Sequence, residues 1–234
     1  MKIKSLIIIL FTVSLLSAAD DFEEFKLQEK QQFEGSIIFD EMAKKIGNVE
    51  GINTIRTIGT VKQPVNYGSV SFPVQVDVDY SGKFRIKFED KEFIIDNDKG
   101  WLKYPQGFYE SLPDKYLNSI RGNLNKNLIY IIKSKNDFEI KSLGKKTILE
   151  RDCFTMELVK EDIKLLLFVD TEKYLPVQMR YFVRAKEVVR TFLEYKNFAG
   201  INYPIHTIST DIENELISEI KIETIEFNIK IDDK

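Results

Sequence analysis

The chain contains one histidine, His206, and one cysteine, Cys153, and these two residues limit the chemistry it could perform. A metal site built on several histidine or cysteine ligands is excluded, and a Cys–His nucleophilic pair would require these two side chains to meet in the fold. The sequence has no nucleophile-elbow serine, Walker A loop or dinucleotide-binding glycine pattern. We expect a structural or surface role for His206 and a small, partly buried Cys153. No enzyme activity, cofactor or metal is predicted.

Carboxylates are the remaining candidates for catalysis. Asp77 and Asp79, Asp96 and Asp98, and Asp232 and Asp233 form three close pairs in the sequence. Paired carboxylates at roughly 5–10 Å hydrolyse glycosides, and clusters of them hold calcium. The segment DNDKG at 96–100 lacks the later ligands of a calcium loop and contains a lysine, so we expect a turn there. A carboxylate hydrolase is kept as the least favoured of three functional hypotheses.

Residues 1–19 have the layout of a secretory signal peptide. Lys2 and Lys4 supply positive charge, Leu6–Leu16 is almost wholly apolar, and Ser17–Ala19 provides small residues before two aspartates. The apolar run is shorter than the ~20 residues of a spanning helix, although an uncleaved membrane anchor stays as an alternative. No cysteine follows the run, so we expect cleavage after Ala19, no lipid anchor and a soluble exported product.

The charge balance bears on the partners of the exported chain. The 234 residues include 34 basic and 37 acidic ones, and removal of the signal takes away two basic residues and no acidic one, which leaves a net charge of −5. Nucleic acids and anionic membrane surfaces favour a basic face. We therefore predict no binding to nucleic acid.

The hydrophobic pattern predicts one domain over residues 36–234, after a charged lead-in over 20–35 that is either a loose segment or a frayed helix. A helix capped by Ser36 and ended by Gly47 has an apolar stripe of Ile37, Ile38, Met42 and Ile46. A second helical stretch follows Pro113 and is predicted to break near Gly122 and Asn123. The rest alternates with period two, which indicates strands. These are predicted at 54–62, 69–79, 84–88, 93–96, 101–104, 138–143, 145–150, 153–160, 163–170, 176–184, 187–196, 204–212 and 217–229.

The order of these elements predicts a fold that is mainly antiparallel β with helices, in the α+β class. One large meandering sheet must curl, and its concave face must be filled by helices, a second sheet or a ligand. Pro73 predicts a bulge or an edge position in its strand. A change of phase in the last strand predicts a bulge near Thr224.

Four stretches give the chain a resemblance to a known family. They are YSGKFRI at 80–86, FIIDNDKGWLKYP at 93–105, LLFVDTEKYLPV at 166–177 and FLEYKNFAGINYP at 192–204. Their sequences and order, with a helical insert after the second, resemble the periplasmic carriers of outer-membrane lipoproteins and related sorting proteins, the LolA/LolB-like family. The resemblance covers about residues 36–231.

This resemblance implies an unclosed, strongly curved β-barrel whose helices cover the concave face, with acyl chains bound in the cavity between them. It implies a monomeric periplasmic carrier that takes acylated lipoproteins or lipids from an inner-membrane donor toward an outer-membrane acceptor. The residues expected to face the cavity are Phe84, Ile86, Phe88, Phe154, Met156, Leu158, Val177, Met179 and Tyr181, with Trp101 and Tyr104 at the rim. Those expected to close over it from the helical insert are Leu117, Ile120, Leu124 and Leu128.

One departure from the family bears on the cargo. The best-known lipoprotein carriers have an arginine before the KFR-like turn that locks the covering helices by hydrogen bonds, whereas this chain reads VDYS at 78–81. Either another residue such as Tyr80 holds the helices, or the cargo is a lipid or glycolipid rather than a lipoprotein. A second hypothesis is an exported β-scaffold that binds a protein partner and has no lipid cargo.

Overall fold

One antiparallel sheet of 13 strands dominates the computed structural model, which describes residues 27, 29–183 and 185–231, without the side chains of 115, 119 and 121. The strands are β1 (Thr54–Val65), β2 (Gly68–Asp79), β3 (Lys83–Phe88), β4 (Lys91–Asp96), β5 (Lys99–Lys103), β6 (Tyr109–Ser111), β7 (Glu139–Ile148), β8 (Arg151–Lys160), β9 (Ile163–Asp170), β10 (Pro176–Val183), β11 (Lys186–Phe198), β12 (Ile201–Thr210) and β13 (Leu216–Phe227). The predicted signal peptide at 1–19 lies outside the described residues.

The sheet is a meander that does not close. Its order is β6-β5-β4-β3-β2-β1-β13-β12-β11-β10-β9-β8-β7, so the first and last strands of the chain pair in the middle and β6 and β7 form the two edges. The helical insert connects β6 to β7 in the chain, and it therefore links the two edges of the sheet. This architecture confirms the predicted fold class.

Three α-helices accompany the sheet within the described residues. The first, α1, covers 29–46; α2 (Asp114–Arg121) and α3 (Leu128–Lys133) form the insert, together with short 3₁₀ turns at Leu124–Lys126 and Lys135–Asp137. The predicted break at Gly122 is confirmed. Ser36 is not a cap, because residues 29–35 are already helical.

Helix α1 buries a stripe that differs slightly from the predicted one. Ile38, Met42 and Ile46 are buried as predicted, but Ile37 is exposed and Phe39 takes its place in the core. At 100° per residue, Phe39 lies about 60° from the centre of the stripe formed by Ile38, Met42 and Ile46, whereas Ile37 lies about 140° from it.

Two predicted irregularities in the strands have clear outcomes. The register of β1 against β13 shifts between Ile58, opposite Thr224, and Gly59, opposite Ile222, which confirms the bulge near Thr224. Pro73 pairs regularly with Thr60 on one side, while β3 begins its pairing one residue later at Val74. Pro73 therefore lies at an edge position, where its missing N–H breaks no ladder.

The sheet has an inner face, which the helices cover, and an outer face. On the β7–β10 side, Phe39 and Met42 of α1 and Ile129 of α3 are fully buried in one cluster with inner-face residues such as Met156 and Met179. This half of the inner face is a conventional packed core.

Candidate functional site

A cavity of about 900 Å³ lies under the other half of the inner face. Its walls come from β1–β3 and β10–β13, and its cover is the segment from Ile120 to Leu128 of the helical insert, which we call the lid. The volume is at the upper end of the range for ligand sites, roughly 300–1,000 Å³.

Short side chains explain why this half is hollow. The inner face of β1 presents Ile55, Thr57, Gly59 and Val61, and β2 presents Val74, Val76 and Val78. The corresponding positions on β8 and β9 carry longer methionine and leucine side chains, which meet the helices. Valine, threonine and glycine are too short to do so, and an apolar space stays between the sheet and the lid.

The lid is tied to the sheet through Asn127. The side-chain oxygen of Asn127 accepts hydrogen bonds from the backbone N–H groups of Ile129 (3.0 Å) and Tyr130 (3.2 Å), so this residue caps α3. The same oxygen accepts a bond from the hydroxyl of Tyr80 (3.3 Å), at the end of β2. Tyr80 therefore bonds the lid, which is one of the two alternatives raised by the missing arginine, and burial raises the pKa of its hydroxyl.

Arg190 of β11 provides a second tie. Its Nη1 donates to the backbone oxygen of Lys126 in the lid (3.4 Å), and its Nε donates to Oγ of Ser209 (3.5 Å). An arginine thus bonds the lid backbone in this chain, but from another strand than the family motif would predict.

Six of the predicted site residues line the cavity: Phe84, Ile86, Tyr181, Ile120, Leu124 and Leu128. Phe154, Met156, Leu158 and Met179 belong to the inner-face core instead. Phe88 stacks on Phe93 at 5.4 Å, near the end of the β3–β4 hairpin. Leu117 is buried against Gly100 and does not border the cavity.

Two further predictions require correction. Val177 belongs to an outer-face cluster with Cys153 and Phe168, because the register shifts by one residue between Pro176 and Gln178 and turns its side chain to the other face. Ile95 pairs with the inward-facing Phe84, so its chain neighbour Ile94 faces outward. Trp101 is the register partner of Ile94 and therefore also faces outward rather than toward the rim. Tyr104 hydrogen-bonds Glu110 (2.7 Å) beside the β5–β6 turn.

Sequence reasoning missed the walls formed by β1 and β13 and the charged member of the site, Arg190. Arg190 lies two residues from Val188 and from Phe192 along β11, so all three side chains share one face of the strand. This spacing could have placed Arg190 on the inner face. The pairing of β1 with β13 has no comparable local signal.

Two of the groups weighed for catalysis, Asp77 and His206, have structural partners on the outer face. Asp77 is fully buried and binds Nε and Nη2 of Arg56 at 2.8 and 2.7 Å, while His206 contacts Glu219 at 2.9 Å. Burial raises the pKa of the Cys153 thiol. Asp232 and Asp233 lie outside the described residues. Within 27, 29–183 and 185–231, no group of three or more histidine, cysteine or acidic side chains could hold a metal ion.

The helices bear on whether the chain could cross a membrane. Among these residues, none combines the length and the apolar character needed to cross a bilayer.

A sequence family described as an uncharacterized protein matches residues 131–234. No curated protein matches the chain.

Solved structures provide the relevant similarities. One is a provisionally assigned outer membrane lipoprotein-sorting protein domain from Vibrio parahaemolyticus, at 15% identity and a TM-score of 0.60, with 86% of this chain and 95% of that one covered. A LolA superfamily protein from Nitrosomonas europaea has 13% identity and a TM-score of 0.60, with 84% and 94% covered. A DUF1329 family protein from Desulfovibrio piger has 9% identity and a TM-score of 0.61, with 85% and 95% covered. The fold of this chain is therefore LolA-like, in agreement with the four sequence motifs.

Proposed function

We propose that the chain is a periplasmic carrier that binds acyl chains of lipoproteins or lipids in the cavity and delivers them toward the outer membrane. The observation that carries this proposal is the cavity of about 900 Å³ beneath a hydrogen-bonded lid. Its wall is largely apolar, with valine, isoleucine and phenylalanine side chains from β1–β3.

Burial of an acyl chain supplies the affinity in this proposal. Each CH₂ group removed from water contributes about 0.8 kcal/mol. No histidine, cysteine or carboxylate side chain is among the described residues that line the cavity, which favours binding over hydrolysis. Similar structures named for lipoprotein sorting support the assignment to transport.

The first experiment is native mass spectrometry, with lipid extraction, of protein purified from its own cell envelope. Bound acylated species would support a carrier. Consistent recovery of an unliganded chain that also binds no added acyl probe would favour the alternative, an exported scaffold for a protein partner.

A cavity-filling variant gives the matched test in solution. Val76 is half-buried in the cavity wall, so Val76→Trp should weaken binding of a fluorescent acyl probe about tenfold or more. Thr60→Trp introduces the same side chain on the outer face of β1 and should leave binding unchanged. A folded Val76→Trp protein with wild-type affinity would contradict the assignment of this cavity.

A further inference from the structure

Four basic residues border the otherwise apolar cavity. The residues lining it include Lys126, Lys186, Arg190 and Lys221. The side chain of Lys221 lies on the outer face, in register with Thr60 and His206, and is paired with Glu219 at 3.2 Å. Lys186 is exposed at the start of β11. Lys126 and Arg190 are different, because both are half-buried and Nη1 of Arg190 donates to the backbone oxygen of Lys126, which brings the two residues together between lid and sheet.

Arg190 is placed on the inner face by the alternation of β11. Its neighbours on that face, Val188 and Phe192, are buried in the apolar core. Its two hydrogen bonds go to neutral oxygens, on Lys126 and Ser209. A guanidinium in such surroundings has lost part of its hydration without gaining a carboxylate partner.

Lys126 brings a second positive charge to the same ring. Its Nζ lies 4.6 Å from the centroid of the buried Tyr181 ring, and Cζ of Arg190 lies 5.3 Å from that centroid. Burial and the charge of Arg190 both lower the pKa of Lys126. In the described part of the chain, no carboxylate lies within 4.0 Å of either side chain.

The proximity of two partly buried positive charges destabilises the folded protein when no anion is bound. Two like charges repel each other, and partial burial reduces the screening that water would provide. The Tyr181 ring compensates only in part, since a cation–π contact contributes about 0.5–2 kcal/mol. A bound anion would satisfy both cations, and it would bridge Lys126 on the lid to Arg190 on the sheet.

We propose that Lys126 and Arg190 bind the negatively charged headgroup of an amphiphile whose acyl chain occupies the cavity. This inference rests on the proposed function and makes it more specific. The headgroup chemistry is a carboxylate or a phosphate, as in a fatty acid or a phospholipid. The cargo is then an anionic lipid, rather than an acyl chain joined to protein by neutral linkages.

The test compares amphiphiles that share a chain and differ in the head. Dodecyl phosphate, dodecanoate and dodecanol compete with a fluorescent acyl probe for the full-length mature protein, and inorganic phosphate is a fourth competitor without a chain. We expect at least one anionic amphiphile to bind about tenfold more tightly than dodecanol, as charge-assisted hydrogen bonds imply. The stronger of the two identifies the headgroup, and inorganic phosphate should displace no probe.

Variants assign this preference to the two cations. In Lys126→Gln and Arg190→Gln the ratio of the dodecanol to the anionic dissociation constant should fall toward one. Arg190→Lys keeps the charge and should retain a preference even if the lid bond is weakened. Lys146→Gln removes an exposed lysine of β7 outside the cavity and serves as the matched control.

The outcomes separate the two proposals. Equal affinity of all three amphiphiles for the wild-type protein would overturn the headgroup site and leave the carrier intact. A preference that survives both glutamine variants would also overturn it. Failure of every amphiphile to bind would overturn the proposed function together with this inference.

Discussion

At the scale of single residues, the cavity depends on what the wall strands lack. Gly59 illustrates this, because it lines the cavity and also lies at the β1–β13 bulge. A Cβ built on Gly59 would lie 2.0 Å from the carbonyl oxygen of Lys221 and 2.8 Å from Cα of Ile222. Both are backbone atoms, so relief requires movement of the strands themselves.

We therefore expect Gly59→Ala to destabilise the protein by about 1–3 kcal/mol, the usual cost of overpacking. Urea unfolding measures this change. Gly51 is the control, because nothing lies within 4 Å of its added Cβ, and Gly51→Ala should be neutral or slightly stabilising through the unfolded state. Equal stability of the two variants would contradict the close approach of β1 and β13.

Single residues also show how far the sequence could specify the site. The alternation of polar and apolar residues along β3 is uninterrupted, so it puts Phe84 and Ile86 on one face, and both line the cavity. Val177 was misplaced because one extra residue at the start of β10 reverses the faces. A bulge of this kind shifts hydrogen-bond register and leaves little trace in a hydrophobic pattern.

At the scale of elements, the helical insert is the part that completes the binding site. It connects the two edge strands, and its middle segment covers the cavity. The hydroxyl of Tyr80 bonds the residue that caps α3, so one tie holds the lid and the start of the helix together.

Tyr80→Phe should loosen the lid selectively. Loss of the hydroxyl removes one hydrogen bond, worth about 1 kcal/mol, and should increase hydrogen–deuterium exchange over residues 124–132. Tyr195→Phe is the matched control, since its hydroxyl bonds the Pro176 carbonyl oxygen between strands (2.9 Å) and does not touch the lid. Identical exchange of the lid in the two variants would show that Tyr80 does not hold it.

Most helices and strands were predictable because the period of the hydrophobic pattern differs clearly between them. Period-two alternation identified the strands, and Gly122 marked the break in the insert. The sequence does not decide whether the lead-in is loose or helical, because the charged residues around Glu29 and Glu34 have no apolar stripe of their own. The predicted strands at 138–143 and 145–150 are one strand, β7, in which Gly144 adopts a positive φ at a register shift instead of ending the strand.

At the scale of the whole molecule, the position of the cavity follows from how the helices divide the inner face. α1 crosses from β7, where Gly35 lies against the backbone around Lys141, to the β11–β12 turn, where Gly47 approaches Gly200. α1 and α3 therefore fill the β7–β10 side and leave the β1–β13 side to the lid. The sequence predicted an apolar inner face but could not tell which half the helices occupy, because that depends on contacts between distant segments.

Because one half of the inner face borders a cavity instead of a packed core, the stability of the whole protein should depend on its ligand. A ligand that binds only the folded state stabilises it by about 2.7 kcal/mol at 100 times its dissociation constant. For a chain of this length that corresponds to a rise in melting temperature of about 5–10 °C. Thermal unfolding of delipidated protein against increasing amphiphile concentration should show this rise, and calorimetric titration at several temperatures should give a negative heat-capacity change, the signature of apolar burial.

The cavity-filling variant shows whether this stabilisation comes from the β1–β13 side. Val76→Trp occupies the hollow with a covalently attached side chain, so its melting temperature should respond only weakly to the amphiphile. Thr60→Trp on the outer face should respond like the wild type. If the melting temperatures of all three proteins rise equally with the amphiphile, then its acyl chain binds outside the cavity. The division of the inner face into a packed and a hollow half would then not determine function.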